Sequence, residues 1–197
     1  MSNKQIIKRQ TICCAFFPIL LMFCITQIKA QSFDKGTNAL NAGVGFGGVY
    51  INLSKGYSAL PSFSFLYEKC IISDIGPGTF GVGGMIAQKS IKYDRTSFIY
   101  HYNESWSYLI IGARGSYHFN FTGIRDFDPY AGIMFAYYIP SYNMSTNDPF
   151  HTAMNYSNYP VFSPYAGVRY YFNKTIGVYG EFCYGYSFGV IGLSAKF

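Results

Sequence analysis

The chain has 197 residues, of which 20% are aromatic and only 12% are charged. Its formal charge of +6 comes mainly from residues 1–30, where Lys4, Lys8, Arg9 and Lys29 have no balancing acid, so residues 31–197 carry only +2. The basic runs typical of nucleic-acid-binding proteins are missing from residues 31–197, and so is any apolar stretch long enough for a transmembrane helix. These observations exclude both classes and leave a chain whose apolar residues are spread over many short segments.

Residues 1–30 have the pattern of a cleaved secretory signal peptide. A positive segment containing Lys4, Lys8 and Arg9 precedes an apolar run over 11–25, and the small residue Ala30 comes immediately before the expected cleavage point. The alternative is a membrane anchor, for which the apolar run is short. We therefore expect export of a single domain formed by residues 31–197.

Eight segments of this domain alternate apolar and polar residues with the period of a β-strand. In each, one face is rich in Leu, Ile, Val, Phe and Tyr, although the facing of the glycine-rich third segment is ambiguous. Most have about the nine to eleven residues that cross a bilayer at a tilt. The pattern predicts an all-β fold, an eight-stranded antiparallel up-and-down transmembrane β-barrel, with strands at 39–48, 59–71, 79–90, 106–120, 129–138, 164–172, 176–184 and 190–197.

The connections between the predicted strands differ in length on the two sides of the barrel. Those at 73–78, 121–128 and 173–175 are short, whereas 49–58, 91–105 and 139–163 are longer and 185–189 is again short. Outer-membrane barrels have short periplasmic turns and longer extracellular loops. Tyrosines and phenylalanines near the strand ends predict an aromatic girdle at each membrane surface, with Tyr130 in the inner girdle and Tyr50, Tyr93, Trp106, Tyr108 and Tyr186 in the outer one.

The last strand finishes on an apolar aromatic residue, Phe197. A closed barrel pairs its last strand with its first, and a lipid-facing strand must be apolar. This ending resembles that of bacterial outer-membrane barrels, whose closing Phe is read by the assembly machinery. The resemblance implies that Phe197 closes the barrel and acts as the assembly signal.

Four charged residues are predicted to face the barrel interior: Glu68, Arg114, Arg169 and Glu181. An eight-stranded barrel is just filled by its own side chains, so these charges should pair with one another. A three-residue turn at 173–175 would place Arg169 diagonally opposite Glu181, within reach of long side chains. We expect a salt-bridge network that plugs the lumen, and the alternative is a narrow polar path or gate.

Histidine and cysteine give only weak signals of chemistry. His101 and His151 lie in predicted outer loops near Ser97, Ser105, Ser141 and Ser145, which could suggest a lipid hydrolase with a Ser/His pair, but no established serine-hydrolase or zinc motif is present. No metal or other cofactor is expected. Cys70 and Cys183 remain after signal cleavage, in a compartment that permits disulfides, and their expected separation predicts two free thiols.

The segments 76–84, 165–172, 180–185 and 192–197 together resemble small outer-membrane β-barrel domain proteins of Gram-negative bacteria. More distantly, the chain is similar to the eight-stranded barrels of the outer-membrane protein A, X and W types. The resemblance covers essentially all of residues 31–197 and implies a location in the outer membrane. It also implies outer-membrane lipid and the barrel assembly machinery as partners, an extracellular ligand for the loops, no nucleic acid and a monomeric state.

Three functions follow as hypotheses. A structural or surface-interaction protein is preferred, because the predicted outer loops are long and rich in Tyr, Asn and Ser while the lumen is predicted to be full. A small channel or transporter, porin-like in shape and open to small or hydrophobic solutes, is the second. An outer-leaflet lipid-modifying enzyme is the third, and a non-enzymatic role is expected. A secreted lipocalin-like barrel is the soluble alternative, and it would keep its apolar face inside.

Overall fold

The structure is a computed structural model that describes residues 33–48, 57–97, 100–120, 124, 126–146, 148 and 155–197. The predicted signal peptide lies outside these residues and stays a prediction. Within them the chain forms nine β-strands. No helix in this described part is long and apolar enough to cross a membrane. The strands are β1 Asn38–Phe46, β2 Tyr57–Ala59, β3 Ser62–Ile75, β4 Gly78–Ser97, β5 Tyr100–Phe119, β6 Phe127–Thr146, β7 Tyr159–Tyr171, β8 Ile176–Cys183 and β9 Gly189–Lys196.

Eight of these strands close into an antiparallel ring. Each of β3 to β8 pairs with the next strand in the chain, β9 returns to pair with β1, and β1 pairs with β3. The three-residue β2 lies beside the outer part of β4, with Tyr57 opposite Tyr93. The predicted eight-stranded up-and-down β-barrel is therefore confirmed.

The alternation of the sequence sets which side chains face the lumen. On β3, Phe63 and Phe65 are 60% and 59% exposed on the outside, whereas Ser64 and Leu66 between and beside them are buried. The ambiguous facing of β4 is settled by burial, because Met85, Ala87 and Lys89 point inward and Val82 and Ile86 point outward. Successive residues of a strand face opposite sides of a sheet, so one correct facing fixes the whole strand.

Large apolar side chains form a continuous exposed belt around the barrel. Its members come from every part of the ring, and a soluble protein rarely exposes so large an apolar surface. The belt is the surface that a membrane-spanning barrel presents to lipid. It includes Leu40, Phe63, Phe65, Ile86, Leu109, Ile111, Ile133, Phe135, Phe162, Val168, Ile176, Phe182, Ile191 and Leu193.

The belt predicts a large cost for a charge placed on the outer surface of the barrel. Phe135→Arg is expected to lower the free energy of unfolding by about 2–4 kcal/mol, because arginine must leave water for the bilayer interior. Urea unfolding in lipid vesicles, followed by tryptophan fluorescence, measures this change. Asn143→Arg is the matched control, since Asn143 has the same outward facing farther along β6. Equal losses for the two variants would contradict the assigned belt.

Three strands continue well beyond the belt. The outward face of β4, β5 and β6 becomes polar from about Gln88, Ser107 and Ser141, yet the strands run on to Ser97, from Tyr100 and to Thr146. At about 3.3 Å per residue, eight residues add roughly 26 Å along a strand. The predicted loops 91–105 and much of 139–163 are therefore largely strand, and we call these parts, 90–97, 100–107 and 141–146, the outer sheet.

Several aromatic residues of the predicted girdles lie elsewhere. Tyr130 and Tyr186 are buried inside the barrel at 2% and 1% exposure, because their strand parity and the turn before β9 direct them inward. Tyr93 and Trp106 lie on the outer sheet, on the face that continues the lumen wall. The predicted Tyr50 falls outside the described residues. Cys70 and Cys183 are both buried free thiols, as expected.

Candidate functional site

All four predicted interior charges are buried in the lumen. Their exposed fractions are 3% for Glu68 on β3, 5% for Arg114 on β5, 0% for Arg169 on β7 and 3% for Glu181 on β8. Each lies at an inward position of its strand. Buried charges are costly unless they are paired and hydrogen-bonded, so the contacts of these four groups decide what the lumen can do.

Two acids and two bases form a closed cluster near the end of the barrel that has the short turns. We call this cluster the quartet, and its members are Glu68, Asp128, His118 and Arg169. The Arg169 guanidinium donates to Glu68 Oε2, and its second terminal nitrogen lies 3.2 Å from Asp128 Oδ2. His118 lies between the same two carboxylates, with Nδ1 2.7 Å from Asp128 Oδ1 and Nε2 3.0 Å from Glu68 Oε1. Because β3 and β7 are on opposite sides of the ring, the quartet spans the lumen.

The hydrogen bonds of His118 determine its protonation state. An ionised carboxylate only accepts hydrogen bonds, so both ring nitrogens facing carboxylate oxygens must carry a proton. His118 is then an imidazolium, and the quartet contains two positive and two negative groups. Each charge has two partners of opposite sign, which satisfies the requirement for burying them together.

Phe33 covers the quartet at the end of the barrel that has the short turns. Its ring is fully buried and stacks on the His118 ring at a centroid distance of 4.1 Å, and it lies 5.5 Å from the Arg169 guanidinium carbon. The Thr79 hydroxyl donates to the Phe33 carbonyl oxygen at 2.9 Å, which fixes the segment against β4. The chain before β1 therefore folds into the barrel end and excludes water from the quartet.

A second ion pair lies one layer farther from the short turns. Arg114 donates to both Glu181 oxygens at 3.1 and 2.6 Å, and the Tyr130 hydroxyl donates to Glu181 Oε2 at 2.9 Å. The Arg114 guanidinium carbon lies 3.8 Å from the Tyr165 ring centroid. Such a two-pronged contact is the strongest geometry for an arginine–carboxylate pair. Above it, apolar and tyrosine side chains fill the lumen, among them Leu66, Met85, Ile110, Met134, Tyr138, Tyr179 and Tyr186.

The structure brings the four predicted residues together with different partners from those expected. Arg169 does lie diagonally opposite Glu181 in the β7–β8 register, but no ion pair joins them. Arg114 and Tyr130 donate hydrogen bonds to the Glu181 carboxylate, whereas Arg169 donates across the lumen to Glu68 and Asp128. The predicted Arg169–Glu181 pair is therefore wrong, because the terminal nitrogens of Arg169 contact Glu68 and Asp128 while both oxygens of Glu181 contact Arg114.

Three participants were missed from the sequence. Asp128 was assigned to a turn, although it shares the parity of Tyr130 and could have been found by extending β6 by one pair of residues. His118 lies within the predicted strand 106–120, and no local pattern in the sequence marks it as a charge partner. Phe33 lies before the first predicted strand, and its only signal is an apolar residue in a polar stretch.

Phe197 lies beyond β9 and extends the pairing between β9 and β1 at the end of the barrel that has the short turns. Its carbonyl accepts from Asn38 N at 2.8 Å and its own N donates to Asn38 O at 3.0 Å, while its side chain is 69% exposed. Its role as an assembly signal stays a prediction. His101, with Nδ1 3.0 Å from Thr96 Oγ1, lies near the tip of β5. The other member of the suggested Ser/His site, His151, lies outside the described residues.

The arrangement of the lumen is suited to sealing rather than to ligation. In the quartet, Arg169 forms ion pairs with both carboxylates, which are the groups that a metal ion would otherwise bind. Within the described ranges, no three His, Cys, Asp or Glu side chains form a group that could bind a metal ion. Two layers of charge stand between the two ends of the barrel: the quartet joins opposite walls, and the Arg114–Glu181 pair joins β5 to β8. The interior of a barrel of this size has little room beside them.

Comparison with solved structures identifies the architecture. OprG, an outer membrane protein from Pseudomonas aeruginosa, matches with a TM-score of 0.52 and 13% identity, over 86% of this chain and 99% of that one. Ail, the attachment invasion locus protein of Yersinia pestis, was solved in complex with the heparin analogue sucrose octasulfate and matches with a TM-score of 0.50 and 11% identity, over 83% of this chain and 100% of that one.

The chain has the fold of the small eight-stranded outer-membrane barrels. This fold and the apolar belt together indicate an outer-membrane protein. No protein-family model matches the chain, and no curated protein matches it in sequence. At these identities the comparison establishes the fold alone, so the function must be argued from the residues of this chain.

Proposed function

We propose that the protein is an outer-membrane surface-interaction protein whose barrel serves as a closed anchor. The observation that carries this proposal is the continuation of β4, β5 and β6 beyond the apolar belt as a sheet in the extracellular space. A barrel that served only to cross the membrane would have no need of this sheet. Since short turns are periplasmic in such barrels, the extension lies on the outside of the cell.

The charged lumen supports the closed-anchor part of the proposal. The quartet connects opposite walls, the Arg114–Glu181 pair joins β5 to β8 across part of the lumen, and Phe33 covers the end with the short turns. Passage of a solute would require breaking buried ion pairs. Breaking such a pair is unfavourable because it leaves buried charges without a partner. The proposal includes no catalytic step and no transport.

Ion conductance tests the proposal against the channel alternative. We expect the folded protein in planar bilayers to give no steady conductance, because the two charge layers and the tyrosine-rich upper lumen leave no continuous water path. A porin inserted under the same conditions is the positive control. A gel of boiled and unboiled samples verifies that the test protein is folded, because a folded barrel changes its mobility on boiling. Steady, reproducible channel currents from folded wild-type protein would show that the closed-anchor proposal is wrong.

A further inference from the structure

The inner face of the outer sheet carries a row of aromatic rings, which we call the aromatic row: Tyr93, Tyr57, Trp106, Tyr142 and Tyr156. Successive ring centroids are 4.5, 6.2, 5.4 and 5.5 Å apart. Trp106 lies directly opposite Tyr142 across β5 and β6. The row therefore crosses the sheet from β2 to the residues before β7, on the face that continues the lumen wall.

The row lies outside the bilayer but keeps much of its surface accessible. Tyr57 and Tyr156 are 40% and 43% exposed, and the other three rings of the row are half-buried. Cross-strand aromatic pairs stabilise a sheet, but that role requires neither five rings in sequence nor their exposure to water. A contiguous exposed aromatic surface with a polar rim is instead typical of an interaction site.

Polar groups are interleaved with the rings. The Tyr142 hydroxyl donates to Glu104 Oε2 at 2.9 Å, and the Tyr102 hydroxyl donates to Asp148 Oδ2 at 2.7 Å. Burial and the Glu104 hydrogen bond raise the pKa of Tyr142 to about 12, and the Asp148 hydrogen bond raises the pKa of Tyr102. Both phenols thus stay protonated and orient carboxylates, each of which can accept several hydrogen bonds from hydroxyl groups.

The geometry and charge of the row select one class of ligand. We propose, building on the surface-interaction function, that the aromatic row binds a neutral oligosaccharide, with sugar rings stacked on the aromatic faces and sugar hydroxyls donating to the carboxylates beside them. The C–H groups on one face of a pyranose carry slight positive charge and meet the negative face of an aromatic ring favourably. A row of rings spaced a few ångströms apart fits a chain of sugars.

Other ligands fit the row less well. Glu104 and Asp148 outweigh Arg95, the cation that strand alternation places on the same face, so a sulfated or phosphorylated chain would meet net negative charge. A quaternary ammonium group prefers rings arranged as a cage around one point. Here most neighbouring rings are inclined by only 26–40°, and the rings come from successive strands of the sheet, β2, β4, β5 and β6, rather than surrounding one point.

The test uses Trp106, which is the only tryptophan of the chain and lies in the row. The protein, in vesicles of phosphatidylethanolamine and phosphatidylglycerol, is titrated with maltohexaose and cellohexaose while tryptophan emission is recorded. We expect a saturable change with at least one of them. Tyr142→Ala and Tyr93→Ala should each weaken binding by about tenfold or more, because each removes one of the rings on which a sugar would stack.

Control variants separate binding from folding. Tyr137→Ala removes a lipid-facing tyrosine of the same strand, β6, and should leave the affinity unchanged. Tyr142→Phe keeps the ring and should retain most of the binding, and every variant must keep its heat-modifiable gel mobility. If Tyr142→Ala loses its heat-modifiable mobility, Tyr142→Phe and Tyr93→Ala still test the site. Sugar binding should then be weakened by Tyr93→Ala, which removes a ring, and largely retained by Tyr142→Phe, which removes only a hydroxyl.

Four results would overturn the inference. They are no emission change with either neutral sugar, tighter binding of a heparin hexasaccharide than of the neutral sugars, displacement of the sugar by choline, and full affinity in a folded Tyr93→Ala variant. None of these would alter the conductance result, so failure of the sugar site and failure of the closed-anchor proposal remain distinguishable.

Discussion

Replacement of Glu181 by lysine is expected to destabilise the barrel by at least about 4 kcal/mol. Breaking a buried ion pair costs about 3–5 kcal/mol because a charge is left without a partner, and Glu181→Lys adds repulsion against Arg114. The Tyr130 hydroxyl also loses its acceptor. Urea unfolding in lipid vesicles and the mobility of boiled and unboiled samples on a gel measure the loss.

Matched variants show whether the loss comes from charge. Glu181→Gln keeps the shape and one acceptor oxygen, so it should lose less stability than Glu181→Lys. Exchanging the pair, with Arg114→Glu and Glu181→Arg together, should recover part of the stability, and the coupling energy of this cycle reports the interaction directly. Unchanged gel mobility and melting temperature for Glu181→Lys would contradict the structural role of the pair.

Replacement of Arg169 by alanine is expected to cost about 3–5 kcal/mol for a related reason. Arg169 contacts two carboxylates at once, and without it Glu68 and Asp128 share only the single positive charge of His118. The stacking of Phe33 over the quartet would also lose its support. Chemical unfolding in vesicles gives the loss in stability.

The quartet offers its own controls. Arg169→Lys keeps the charge but not the planar fork that reaches both acids, so its loss should be intermediate. Adding Asp128→Asn to the Arg169→Ala variant removes one stranded charge and should restore part of the stability. A loss below about 1 kcal/mol for Arg169→Ala would mean that water or other groups compensate these acids, and the sealed quartet would be wrong.

The two layers of charge connect the fold to the proposed function. They lie within the part of the barrel that carries the apolar belt, whereas the outer sheet beyond the belt carries the aromatic row. In the proposed function the barrel provides a rigid base, and the proposed recognition site is confined to residues beyond the belt. The positions that govern stability and those that govern binding are therefore different, which makes both sets of variants interpretable.

The sequence by itself determined the number of strands in the ring, the facing of most of them and the presence of charge in the lumen, although it did not reveal the short β2. These properties depend on alternation along one strand, which is local and repeats every second residue. Glu68, Arg114, Arg169 and Glu181 could all be placed inside in this way. The same rule placed Phe63, Phe65 and Phe182 in contact with lipid, where their exposure is high.

Only the tertiary structure decided which charges meet. Closing the ring puts β3 opposite β7 and brings Arg169 to Glu68 and Asp128, and no local pattern encodes a contact across the lumen. The outer sheet was also hidden, because beyond the bilayer both faces of a strand tolerate Ser, Asn and Tyr and the alternation of hydrophobicity disappears. The burial of Phe33 depends on the finished barrel end, which exists only after β1 and β9 have paired.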